Sequence, residues 1–275
     1  MSLAVNSHRP FRFTGRGGRA YAVILGANEV ASALAVELRR AGWSVVLTED
    51  PTQPVLRRGM AFYDALFGDP TALAGVRVAR ADTTAEILAA MDGDPDVVIT
   101  AIGLLDLIVL GRIDQLVDAR RQPGGALPDL RWLARVTVGL GDGYVAGVNC
   151  DIAIGEDAAP PSAADHHARR MIAAASAGVW RTPLDIGAHV FRGLALGKLD
   201  QASILAPLDG MLIGLVRDGT PVSAGARLVE IDQRIRQAKW SGLDNRGKAF
   251  ARATLKAIRE HDARRSQTAK IAPSE

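Results

Sequence analysis

Three glycines spaced two apart, Gly139, Gly141 and Gly143, follow the β-branched run Val136-Thr137-Val138 and lead into Tyr144. A buried strand that ends in such a run hands over to a loop whose backbone reaches positive φ and approaches other groups closely. At the end of a parallel strand, loops of this kind hold phosphates and other anions on backbone N–H groups. The same spacing also serves a ligand-free turn between two strands, and the residues leave both readings open. A second candidate turn, Gly26-Ala27-Asn28-Glu29, follows the apolar run Tyr21-Ala22-Val23-Ile24-Leu25, and Glu49 closes the next apolar run. A carboxylate at that place accepts hydrogen bonds from a ribose. Arg57 and Arg58 stand just beyond it. They either fork a phosphate or carboxylate or open a solvated helix. Tyr144 and Asp118 are the groups suited to carry a proton, but no nucleophile–base pair or metal set stands out, so no reaction follows from the residues.

The elements that must position these groups read as β–α–β. A strand over 21–25 precedes a helix over 30–41, with Val30, Leu34 and Leu38 on one stripe, and then a strand over 44–48. The turn between them keeps only the first glycine of a dinucleotide fingerprint, Gly26; Asn28 stands at the second position and Ala31 at the third. Asn tolerates the left-handed region, so the turn forms, but its side chain obstructs a pyrophosphate. Both an occupied dinucleotide site and an empty scaffold fit. Further strands are expected at 76–78, 96–100 and 114–119, and a helix over 83–91 capped by Thr84 or Asp82. Asp118 and Arg120, two apart at a strand end, point to one side of the sheet. They either face the glycine loop or pair with each other.

Beyond Glu156 the texture changes. Ala158-Ala159-Pro160-Pro161-Ser162-Ala163 reads as a linker, and Asp165-His166-His167 as a surface turn rather than a metal site. From Ile172 the chain repeats at a spacing of 32: Gly178 with Gly210, Gly187 with Gly219, Val190 with Val222, Gly193 with Gly225, Leu196 with Leu228 and Asp200 with Asp232. Two copies whose edges are exposed alone must interlock to bury a core.

Hydrophobic residues at 48% and charged residues at 23% are ordinary for a soluble globular protein, and a formal charge of +3 argues against a dedicated nucleic-acid surface. The single cysteine, Cys150, excludes an intramolecular disulfide and any cysteine-based zinc cluster. There is no secretory signal pattern and no apolar run of membrane-spanning length, so the expected place is the cytoplasm, without membrane or nucleic-acid partners.

The segment Val138-Gly139-Leu140-Gly141-Asp142-Gly143-Tyr144 with Ala146-Gly147 resembles the "GLGPGF…AG" segment of the XdhC-like accessory proteins, in the branch associated with selenium-dependent molybdenum hydroxylases. Asp142 replaces the usual proline and Tyr144 the usual phenylalanine. Glu29, Ala31 and Ser32, the run from Pro54 through Arg57 and Arg58 to Phe62, and Asp118-Ala119-Arg120 extend the resemblance. The repeat is similar to the two halves of a lipoyl/biotinyl-type sandwich; Lys198 lies near the junction but lacks the flanks of a modified lysine and reads as an ordinary turn residue.

The resemblance implies a fold of class α/β. A flexible arm (1–19) precedes a Rossmann-like domain (20–157) and a linker (158–171). A small β barrel-sandwich (172–234), a C-terminal helix (235–260) and a tail (261–275) follow. It implies an accessory or maturation protein for a molybdenum hydroxylase or similar client enzyme, with a homo-oligomer left open. NAD(P) or a molybdopterin-type nucleotide would be held by Gly26, Asn28, Glu29, Glu49, Arg57, Arg58, Gly139, Gly141, Gly143 and Tyr144. An NAD(P)-dependent oxidoreductase and a lipoyl or biotinyl carrier are the competing classes.

Overall fold

A computed structural model describes residues 20–49, 53–93, 96–108, 111, 113–121, 127–160 and 168–271. The N-terminal arm, Asp165-His166-His167 and half of the expected linker lie outside the described residues.

The apolar runs at 21–25, 44–48 and 97–100 become β1 (Tyr21–Leu25), β2 (Ser44–Thr48) and β5 (Val97–Thr100), buried throughout. With β3 (Ala72–Leu73), β4 (Val76–Arg80), β6 (Ile113–Asp118), β7 (Ala134–Leu140) and β8 (Ile152–Ile154) they form a sheet in the order β3-β4-β5-β2-β1-β6-β7-β8. Every neighbouring pair is parallel except β3 and β4, which makes the sheet mixed. Continuous apolar strands such as these need cover on both faces.

One face is covered by α1 (Glu29–Arg40) and α4 (Asn245–Ile271), the other by α2 (Thr84–Asp92), α3 (Leu104–Ile108) and the loops around Leu127, Leu130 and Tyr144. Helix α2 is capped by Thr83, whose side chain accepts from the Glu86 N–H while Glu86 reaches back, a complete capping box. Helix α1 is buried on nearly all sides because α4 crosses it closely: a Cβ on Gly247 would come within 2.9 Å of the Ala33 Cβ. Helix α4 continues through Ile271, past the expected end at residue 260.

The repeat forms two further sheets from β9 (Arg169–Ala173), β10 (Gly178–Arg181), β11 (His189–Val190), β12 (Ala195–Leu199), β13 (Ala202–Leu205), β14 (Gly210–Leu215), β15 (Pro221–Val222) and β16 (Arg227–Asp232). Their orders are β13-β12-β10-β15 and β11-β14-β16-β9, antiparallel throughout. The strand β10 of the first copy pairs with β15 of the second, and β14 of the second with β11 of the first, so each copy completes the other's sheet. Trp180, fully buried, fills the core between them and donates its indole N–H to the Val216 carbonyl.

This architecture corrects the expected pairing of a Rossmann-like domain with a separate lipoyl/biotinyl-like barrel-sandwich. The chain forms an α/β body on one large mixed sheet, with two antiparallel sheets and a C-terminal helix. Two physical features account for the difference. Among the described residues no helix follows β6 or β7; α4, from the far end of the chain, covers that half of the sheet. The antiparallel sheets are also docked on the body rather than free-standing. Leu56 packs against their core and would meet a Cβ on Gly214 at 2.8 Å, and the Leu215 N–H donates to its carbonyl.

Asp232, fully buried, accepts from the Arg234 backbone and guanidinium and from Arg169. Burial pushes its carboxyl up, but these hydrogen bonds and the Arg234 charge outweigh it, so the group sits below its ordinary range. A depressed carboxylate contributes stability that is present above the unfolded value of about 3.9 and lost as pH falls through the folded value. Urea midpoints should therefore drop more steeply between about pH 5 and pH 2 in the wild type than in Asp232→Asn. Parallel acid limbs would show that this carboxylate has no part in the acid lability.

Candidate functional site

The chain moves from β1 to β2 and outward on one side, then returns to place β6, β7 and β8 on the other. The strand order thus reverses between β1 and β6, the place at whose carboxyl ends open parallel sheets take their ligands. Gly26 leaves β1 at φ +106°, a conformation that favours glycine, and a Cβ there would come within 3.3 Å of Arg120 Cγ.

Asn28 takes an extended conformation (φ −74°, ψ −179°), not the left-handed one its residue type allowed; the positive φ falls on Gly26. Its side-chain oxygen accepts from the Val30 and Ala31 N–H groups, capping α1, while its amide donates to the Ala119 carbonyl at 2.8 Å. One side chain therefore ties the ends of β1 and β6 together.

On the β6 side, Asp118 is buried and accepts from the Arg120 backbone N–H at 3.0 Å, from the Arg120 guanidinium and from the Tyr144 hydroxyl at 2.6 Å. Of the two readings of this Asp–Arg spacing, the ion pair is the one formed. Burial first, and the Asp118 charge second, push the Tyr144 hydroxyl far above its ordinary value, so it is a neutral donor and not a base. The Tyr144 ring lies over Gly139, where a Cβ would come within 1.9 Å of it. Gly139 is required by that ring.

Gly141 (φ +95°) donates its N–H to the Ile154 carbonyl at 2.8 Å, closing the turn onto β8. Gly143 (φ +91°) packs towards Leu127, and its carbonyl accepts from the Asn149 amide. Beside them Arg121, a non-glycine residue at φ +54°, is pinned by Glu156, which also holds Arg246. Both guanidinium groups lie over the Phe250 ring, at 5.2 and 5.6 Å.

The structure thus brings Gly26, Asn28, Gly139, Gly141, Gly143 and Tyr144 to one edge of the sheet. It places the two arginines elsewhere. Arg57 forks Glu230 with two 2.9 Å bonds and reaches Asp244, and Arg58 binds the Leu215 carbonyl and Asp64. They fasten the α/β body to the antiparallel sheets and do not close the glycine loop.

Glu29, in the first turn of α1, contributes to the field on Arg57. Burial, then Glu49 and Asp64, push the Tyr63 hydroxyl up to about 12, so Glu49 also belongs with that junction. Arg121, Glu156 and Arg246 join the site unforeseen, whereas Arg120 is singled out with Asp118 by their spacing. Lys198 sits within β12, paired with Arg181 and Ser203, before the turn at Asp200. Among the described residues no three His, Cys, Asp or Glu side chains group to hold a metal ion, and no helix is long and apolar enough to cross a membrane.

No family model matches the chain. It is 29% identical over 262 residues to the uncharacterized protein YqeB of Escherichia coli (strain K12), covering 88% of this chain and 48% of that protein. The chain therefore spans about half the length of this curated relative.

Solved structures give faint likenesses. An aspartoacylase family protein from Mesorhizobium loti aligns at a TM-score of 0.24 and 12% identity over 80% of this chain and 87% of that one. A putative succinylglutamate desuccinylase/aspartoacylase family protein from Shewanella amazonensis aligns at 0.24 and 13%, over 82% and 93%. The ectoine utilization protein EutE (DoeB) from Ruegeria pomeroyi aligns at 0.20 and 16%, over 33% and 27%. Scores this low carry no argument about activity.

These findings correct the family reading. No family model matches the chain, and the curated relative it resembles is an uncharacterized protein, not one of the XdhC-like accessory group. The role in molybdenum hydroxylase maturation, with its oxidoreductase and carrier alternatives, falls with it.

Proposed function

We propose that the chain binds a small anionic ligand between the carboxyl ends of β1 and β6. The observation that supports this reading is the reversal of strand order there, the place where open parallel sheets take their ligands. Gly26 lets Arg120 lie close over the end of β1, Asn28 ties that end to β6, and Arg120, aligned by Asp118, supplies the cation. The side chain of Arg120 is one quarter exposed, so it is positioned by the fold and still reaches solvent. A guanidinium held in this way recognises a phosphate or carboxylate in a planar fork. Phosphate-bearing nucleotides, NADP and a pterin monophosphate among them, are the ligand class to test.

Calorimetric titration of inorganic phosphate, ADP, NADP and a pterin monophosphate provides the test. At least one organic phosphate should bind, and Arg120→Gln should weaken it about tenfold or more, the loss of one charge-assisted contact of about 1.5–3 kcal/mol. Gly26→Val should abolish binding by displacing Arg120. Equal affinity in wild type and Arg120→Gln, or no binding across the panel, would remove this reading.

A further inference from the structure

A cleft of about 460 Å³ opens where the turns of the repeat meet the α/β body, and none of its lining residues belongs to the site at β1 and β6. Its size is that of a small-molecule site, and such sites favour junctions of this kind. The turn after β10 brings Asp185 to the cleft and the turn after β14 brings Arg217, two positions related by the spacing of 32. The two turns meet there because β10 pairs with β15 and β14 with β11. Equivalent places in the two copies thus carry opposite charges.

Arg217 is held in a fixed orientation. Its guanidinium lies over the Phe67 ring at 4.3 Å, and its Nη1 donates to Asp64 at 3.1 Å and to Asp69 at 2.7 Å. Both bonds leave from one nitrogen. The Nε–Nη2 edge, which forks a carboxylate in a plane, gives no hydrogen bond among the described residues. The side chain is 26% exposed, so it is anchored and still open to a ligand. Asp185 is its complement. Its carbonyl accepts from the Ala188 N–H and holds the turn, while its exposed carboxylate has no hydrogen bond or ion pair among the described residues. The other acids of the cleft are engaged: Asp64 by Arg58 and Arg217, Asp69 by Arg217, and Asp218 by the Thr182 N–H and Arg181.

We infer that this cleft binds a free α-amino acid, its carboxylate forked by Nε and Nη2 of Arg217 and its ammonium held by Asp185. A plain anion would leave Asp185 unmatched, and a plain cation would leave the fork unused. A zwitterion meets both. The lining holds four acids against two arginines, so a second carboxylate on the ligand is disfavoured and a second ammonium favoured. Among the described residues that line the cleft none is aromatic, so nothing there stacks a nucleobase.

Calorimetric titration of the full chain with free lysine, leucine and glutamate tests this. Lysine and leucine should bind, and glutamate about tenfold or more weaker than either. N-acetyl-lysine, which lacks the charged α-amino group, and cadaverine, which lacks the carboxylate, should each bind about tenfold or more weaker than lysine. Asp185→Asn should weaken lysine and leucine about tenfold without moving the melting temperature, because the carboxylate makes no contact within the fold. Arg217→Lys keeps a cation for Asp64 and Asp69 but loses the planar fork, so it should weaken both amino acids and leave cadaverine unchanged. No binding of lysine or leucine, or an affinity unchanged by Asp185→Asn, would overturn the inference. So would cadaverine binding as tightly as lysine, since the cleft would then be a plain acidic surface, or N-acetyl-lysine doing so, since it would then be a plain anion site.

Discussion

Arg57→Ala should be the most destabilising single substitution of a charged residue in this chain, lowering stability by about 3–5 kcal/mol. The Arg57 side chain is 18% exposed and Glu230 5%, and two 2.9 Å hydrogen bonds join them. Burial alone lowers the guanidinium pKa, but the Glu230 hydrogen bonds and charge outweigh it, so the guanidinium stays charged. Removing the cation leaves Glu230 buried with no countercharge and also frees Asp244, which caps the start of α4 through the Gly247 N–H. At about 2–4 °C per kcal/mol, the melting temperature should fall by roughly 6–20 °C.

The double variant Arg57→Met with Glu230→Leu separates the charge effect from packing. An apolar pair of similar volume should restore most of the loss, because the cost lies in the stranded carboxylate. A single variant that melts within 2 °C of the wild type would show that the body and the antiparallel sheets are not joined by this pair.

The same arginine shows where reading along the sequence stops. Two adjacent arginines past a strand end look like an anion fork, but Arg57 forks Glu230, and Arg58 gives single bonds to Asp64 and the Leu215 carbonyl. Glu230 lies 173 positions away, and no local spacing encodes such a partner. Short-range signals fared differently. The stripe Val30, Leu34 and Leu38 formed α1 within a residue of its expected ends, and the cap of α2 fell on Thr83, between the two candidates. The spacing of 32 maps onto strands that pair reciprocally, because the first copy's β10 needs the second copy's β15 and the second copy's β14 needs the first copy's β11.

What the sequence could not convey was the covering of the sheet. Helix α1 has alanines where a surface helix would have charges, and the reason is α4, some two hundred residues downstream, crossing at Gly247. The candidate site was legible as a set of strand ends: the turns at Gly26 and Gly139 do meet at one edge. Its cation was expected from Arg57 and Arg58, whose side chains the structure places on Glu230 and Asp64; Arg120, aligned from within its own strand end by Asp118, is the arginine that stands at that edge.

Gly139→Val gives the other large effect and bears on why the glycine loop exists. The Cβ that any other residue would add at position 139 meets the Tyr144 ring at 1.9 to 2.4 Å, inside the distance real atoms adopt. The ring cannot retreat freely, because its hydroxyl is bonded to buried Asp118 and its sides pack with Leu130 and Cys150. Overpacking of a core commonly costs about 1–3 kcal/mol, and here the Tyr144–Asp118 hydrogen bond is lost as well, at about 1.5–3 kcal/mol for a bond to a charged group. A loss of about 3–5 kcal/mol is therefore expected, read as a shift in urea midpoint. If the ring is the cause, Tyr144→Ala in the Gly139→Val background should recover part of that loss, although Tyr144→Ala alone destabilises. The two substitutions would then be strongly non-additive, as residues in contact are. Additive losses in the four-way cycle would mean that Gly139 is required by something other than the ring, and the glycine would return to the list of ligand-facing positions beside Gly26.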